Sequence, residues 1–236
     1  MAFLRGHWQV LLILVLVFAL WHTPVVYPLR ILVVFLHELS HGLAALATGG
    51  SIVDIALDPR EGGHAITRGG SRFLTLSAGY LGSLVLGALI LLTALRSSAD
   101  RAALALCGIA LLLIAAFWVR NGFGLLFCVA AGAVMLAAAR YLPHQAADLT
   151  LRVIGLTSLI YVPYDIFDDT IRRSELRSDA RMLAEEFGGA TIMWGGLWLL
   201  LSLGVIWLCL RHGLGPATNI RFRQSRPEGE KTAGTP

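Results

Sequence analysis

The sequence predicts an all-α polytopic membrane protein of about seven transmembrane helices, with a short β-hairpin after the second. Three observations carry this. Hydrophobic residues make up 56% of the 236, charged residues only 14%, and the mean hydropathy is +0.71, more apolar surface than a water-soluble domain of this size needs. The apolar residues fall in runs long enough to cross a hydrocarbon core of about 30 Å, separated by short polar links. Between the second and third runs, residues 49–71 are polar and glycine-rich. There the alternation in Ser51-Ile52-Val53-Asp54-Ile55-Ala56-Leu57 reads as a strand, and Gly62-Gly63 as the turn after it.

In chain order, residues 8–28 form a retained first helix, broken near Pro24 and ended near Pro28; a cleaved signal peptide needs a shorter core and a small-residue cleavage site, which Trp21-His22-Thr23-Pro24 does not offer. The second runs from Arg30 to Thr48 and stops at Gly49-Gly50. The third, Phe73 to Leu95, carries Ala78-Gly79-Tyr80-Leu81-Gly82-Ser83 and Gly87, small residues that let another helix approach closely. The fourth (Ala102 to Val119) and fifth (Phe123 to Ala139) are divided by the tight turn Arg120-Asn121-Gly122. The sixth spans Leu149 to Pro163, where proline should open the backbone. Arg172 to Glu186 reads as an amphipathic or surface helix ending at Gly188-Gly189, and the seventh span covers Thr191 to Leu210. The membrane domain is thus expected over residues 1–210, with 211–236 a polar, disordered tail.

Charge narrows the function classes. The net charge of +4 comes almost wholly from arginines in the links, which suits lipid headgroups and argues against nucleic-acid binding. The arginines divide nearly evenly between the two sides, so only the basic tail hints at a cytoplasmic C-terminus. Cys107, Cys128 and Cys209 lie inside apolar runs without zinc-ligand spacing and imply no disulfide framework.

The chemistry concentrates in His37-Glu38-Leu39-Ser40-His41, inside the apolar second run. Histidines four apart share a helix face, so one zinc ion can take both imidazoles, with Glu38 beside them as general base for a zinc-activated water. Such groups are costly in hydrocarbon without a polar partner. Catalytic zinc usually has three protein ligands, so a third must come from elsewhere. Asp165 is the first choice, at the end of an apolar segment after Pro163; on a resumed helix Asp165, Asp168 and Asp169 share a face. Asp168 and Asp169 compete as ligands or as acceptors for an imidazole N–H, and Glu175 with Asp179, in the charged run, is a further alternative. His64 reads as a loop histidine, and the hairpin either receives a substrate backbone by strand addition or simply connects two helices.

The chain resembles the site-2 protease family of intramembrane zinc metalloproteases, in its compact branch without a PDZ domain. The resemblance covers most of residues 30–205 and rests on His37-Glu38-Leu39-Ser40-His41-Gly42, Gly49-Gly50, Ala78-Gly79-Tyr80-Leu81-Gly82, the run from Tyr164-Asp165-Ile166 through Asp168-Asp169 to Ser178-Asp179-Ala180, and Trp194-Gly195. It implies zinc on His37, His41 and an aspartate of a late membrane helix, with Glu38 as general base. Pro163-Tyr164-Asp165-Ile166 keeps the proline and aspartate of better-known members without their following glycine, and Ala78-Gly79-Tyr80-Leu81-Gly82-Ser83 has no counterpart of their asparagine. The expected activity is hydrolysis of peptide bonds in membrane-protein substrates, in a polar cavity between the second, third and sixth segments of a multi-pass protein of a cell membrane. The alternatives are a zinc-binding membrane protein without proteolysis, and a membrane-anchored zinc protease acting on soluble polypeptides. Substrate identity and oligomeric state are not legible.

Overall fold

A computed structural model describes residues 2–220. Helices α1 (Ala2–Ala19) and α2 (Tyr27–Ala47) precede a two-stranded antiparallel sheet of β1 (Ser51–Asp58) and β2 (Gly62–Arg68). Then follow α3 (Arg72–Arg96), α4 (Asp100–Trp118), α5 (Gly122–Tyr141), α6 (His144–Phe167) with a π-helical turn over Asp168–Arg172, α7 (Asp179–Phe187) and α8 (Thr191–Gly213). Among the described residues, 7 helices are long and apolar enough to cross a membrane, and the hairpin follows the second of them, as the sequence predicts. Their outward side chains, such as Leu106, Leu126, Val134 and Leu200, are largely exposed, an apolar surface that lipid tails would cover. The seven long apolar helices describe an integral multi-pass membrane protein.

Helix α3 is the centre of the bundle, packed against α2, α6 and α8. Without a strong hydrophobic drive between helices in lipid, close packing has to hold them together, and small residues permit it. Gly82 faces Ser40 of α2, whose side chain a Cβ there would meet at 2.6 Å. Gly87 lies against Ser158, and Gly155 against Leu91, so α3 and α6 run antiparallel. Trp198 of α8 and Tyr80 of α3, both buried, close the same layer with ring centroids 5.2 Å apart.

The structure revises five sequence expectations. Gly62 and Gly63 open β2, and the hairpin turn lies before them at Pro59 to Glu61. Pro28 starts α2 instead of ending α1: proline lacks only an N–H that the first turn leaves unpaired anyway, and α1 has already stopped at Ala19. Pro163 does not end the sixth helix, which runs on to Phe167 and into the π-helical turn. A proline costs one helical hydrogen bond, and here the buried Tyr161, Val162 and Ile166 hold one face of the helix in place across it. The charged run forms a helix only from Asp179, because Ser178 caps it by accepting from the Arg181 N–H at 3.3 Å. Residues 211–220 of the expected disordered tail are placed: α8 continues to Gly213, and the following segment docks on the start of α1. There Thr218 N–H donates to the Gly6 carbonyl (2.9 Å), His7 Nδ1 lies 2.8 Å from Thr218 Oγ1, and Asn219 Nδ2 donates to the Arg5 carbonyl (2.7 Å). The rest of that stretch, 221–236, lies outside the described residues.

Candidate metal centre

Helix α2 presents His37 and His41 on one face, ring centroids 4.7 Å apart. His41 Nδ1 donates to the Thr75 carbonyl of α3 at 2.6 Å, which leaves its Nε2 free to act as a ligand. Gly79, one turn further along α3, lies directly against both rings. A Cβ there would stand 2.5 Å from His37 Nε2 and 2.6 Å from His41 Nε2, so only glycine leaves that space open. Tyr80 sets its ring edge-on to His37 at 4.7 Å and donates its hydroxyl to Asp169.

The carboxylate that meets both histidines is Asp179, the first residue of α7. Its Oδ2 lies 3.0 Å from His37 Nε2 and 3.2 Å from His41 Nε2. Burial would raise this carboxyl's pKa, but the two imidazoles outweigh burial and hold it well below the usual carboxylate range. Asp165, the sequence's choice for the third ligand, lines the same cavity but belongs to another cluster. Because α6 continues past Pro163, Asp165 stays on the helix beside Arg173, whose guanidinium reaches Asp168 at 2.7 Å, Asp169 at 2.9 Å and Asp165 at 3.9 Å. The shared face read for the three aspartates is therefore present, organised around an arginine. Glu175 is exposed. His64 sits on β2, 3.4 Å from Asp54, and lines the cavity.

The residues present fit a zinc ion. Two imidazole nitrogens and one carboxylate oxygen, all within 4.8 Å of one another, form a hard-to-borderline donor set, and the nitrogen–oxygen separations of 3.0 and 3.2 Å approach the roughly 3.3–3.4 Å between donors of tetrahedral zinc. Glu38 is buried next to this group, and β2 covers it: a Cβ at Gly63 would lie 2.9 Å from Glu38 Oε1. Around these groups is a cavity of about 620 Å³, walled by α2, α3, the end of α6, β2 and the segment leading into α7. The sequence placed such a cavity between the second, third and sixth segments; the hairpin and α7 complete it.

In the sequence Asp179 stands as a ligand candidate only together with Glu175, and its setting in a strongly charged run makes it the weaker one. The signal that places it is Ser178 as a cap, with Ala180 and Leu183 following at the spacing of one apolar helix face; both are fully buried. An aspartate at the edge of that face is carried inward with it.

A multi-pass membrane protein with a buried two-histidine, one-carboxylate group beside a glutamate belongs to a narrow class. The Peptidase M50B-like family model matches residues 10–209, and the chain belongs to that family, the site-2 protease family of intramembrane metalloproteases. No curated protein and no solved structure matches. Members of the family are zinc metalloproteases that work in a lipid environment on membrane-embedded substrates.

Proposed function

We propose that this protein is a zinc metalloendopeptidase that hydrolyses peptide bonds of membrane-protein substrates, with zinc on His37, His41 and Asp179 and with Glu38 as general base. The observation that carries the reading is the convergence of those three donor groups beside Glu38 in one cavity. A zinc ion held by these residues would supply a Lewis acid for the scissile carbonyl and would lower the pKa of the attacking water to roughly 7. Glu38 takes the proton from that water and passes it to the leaving amide nitrogen. His41 keeps its ligand nitrogen turned inward through the Thr75 carbonyl. Strand β2 forms one wall, where an extended substrate can lie; a helical one must first unwind, since helical carbonyls are engaged in the backbone ladder. In this reading Asp165 is a cavity carboxylate offset by Arg173, and Asp179 replaces it as third ligand.

Metal analysis of purified variants tests the ligand set. The wild type should carry about one zinc per chain. His41→Ala and Asp179→Ala should lose it, Asp165→Ala should retain most of it, and Glu38→Gln should keep the metal while losing cleavage. Zinc retained in Asp179→Ala and lost in Asp165→Ala would return the third place to Asp165.

One observation favours a second reading, cleavage of soluble polypeptide close to the membrane: Asp179 comes from α7, which lies outside the candidate spans. Cleavage of a water-soluble peptide as fast as of the same sequence in a membrane-spanning substrate would support it.

A further inference from the structure

Asn121, in the turn between α4 and α5, has no part in the chemistry described above. It occupies the N-cap position of α5, where an asparagine side chain ordinarily accepts from a main-chain N–H of the first turn, yet it makes no such bond. Its amide instead turns to β1. Oδ1 accepts from the Leu57 N–H at 3.2 Å and Nδ2 donates to the Leu57 carbonyl at 2.6 Å, so one side chain does for Leu57 what a neighbouring strand would do. Beside it Val119 forms a parallel bridge to Ile55. Val119, Ile55 and Leu57 are all buried, and a Cβ at Gly124 would come within 2.5 Å of Asn121 Oδ1.

Strand β1 is thus held on both edges, by β2 along its length and by this turn at Ile55 and Leu57. Besides its packing on α2, the hairpin has polar ties at both ends. At its base Ser71 N–H donates to Thr48 Oγ1 (2.9 Å); near its tip Arg30 pairs with Glu61 (2.9 Å) and the Tyr27 hydroxyl donates to the Pro59 carbonyl (2.7 Å). Asn121 is the tie between them, and its position has a consequence for the site. The residue opposite Leu57 in the register is Gly63, which rests on Glu38.

We propose that Asn121 is a positioning residue. By gripping both main-chain groups of Leu57 it sets how closely Gly63 and the rest of β2 approach Glu38, and so fixes the width of the cavity that receives the polypeptide. The kinetic part of this inference rests on the protease reading; the clasp itself does not.

Asn121→Ser and Asn121→Ala test it together. Serine caps a helix as well as asparagine, but its single hydroxyl cannot replace both bonds to Leu57. Amide hydrogen exchange across residues 55–65 should speed up about tenfold in both variants, the effect of losing two neutral hydrogen bonds. Zinc content should stay at the wild-type level, and KM for a membrane-protein substrate should rise about tenfold with kcat within about twofold. Unchanged exchange, or wild-type exchange restored by serine alone, would overturn the clasp. Faster exchange with unchanged KM would overturn the positioning role, and loss of zinc would make Asn121 a scaffold residue. Should the wild type cleave nothing, the protease reading fails, and the exchange arm still decides the clasp.

Discussion

At the residue scale, two glycines bound the site from opposite sides and separate metal binding from turnover. Gly79 leaves room for the ligand nitrogens of His37 and His41, and Gly63 leaves room for Glu38. A methyl at position 79 must displace an imidazole or the α3 backbone, so Gly79→Ala should weaken zinc binding by about 10–100-fold, the loss seen when ligand orientation is disturbed. Competition with a calibrated chelator measures it. Gly63→Ala should keep zinc and lower kcat about tenfold or more, because its methyl would press on the carboxylate that moves the proton. Loss of zinc in Gly63→Ala, or normal affinity in Gly79→Ala, would contradict this division. That His37 and His41 meet was legible in the sequence, because four-residue spacing fixes a helix face wherever the helix lies. That Asp179 meets them was not, since its place depends on how the chain returns after α6, and local periodicity does not encode that path.

At the scale of elements, the junction of α6 and the π-helical turn gathers three carboxylates and one arginine. Arg173 reaches Asp165, Asp168 and Asp169, and Asp169 also accepts from the Tyr80 hydroxyl, which ties the junction to α3. The Arg173 side chain is 48% exposed, so solvent screens these pairs, and together they contribute about 1–2 kcal/mol. Arg173→Met should therefore lower the melting temperature in detergent by a few degrees, at about 2–4 °C per kcal/mol for a chain of this size. Adding Asp165→Asn should recover part of the loss by relieving like-charge repulsion; a double variant less stable than Arg173→Met would show that Asp165 is held by something else. The run of aspartates was visible as a shared face, the Asn121 turn as a polar break between apolar runs, and the hairpin from alternation, though Gly62-Gly63 open β2 and the turn lies at Pro59 to Glu61. What Pro163 does was not, because a proline breaks a solvated helix far more readily than one with a face packed in a bundle.

For the whole molecule, the proposed ligand set ties together elements far apart in sequence: His37 and His41 from α2, and Asp179 from α7, with α3 between them supplying Thr75 and Gly79. Zinc bound there should therefore stabilise the entire bundle, because the unfolded chain cannot bring the three groups together. At free zinc 100 times its dissociation constant the gain is about 2.7 kcal/mol, which corresponds to a rise in melting temperature of about 5–11 °C for a chain of this length. Thermal unfolding in detergent, with chelator and then with added zinc, reads this shift without requiring any substrate. The shift should vanish in Asp179→Ala, persist in Glu38→Gln and persist in Asp165→Ala. A wild type whose melting temperature is indifferent to zinc would show that α2 and α7 are not joined by a metal. A shift abolished by Asp165→Ala but kept by Asp179→Ala would mean that α6 makes the connection to α2, with α7 only covering the site.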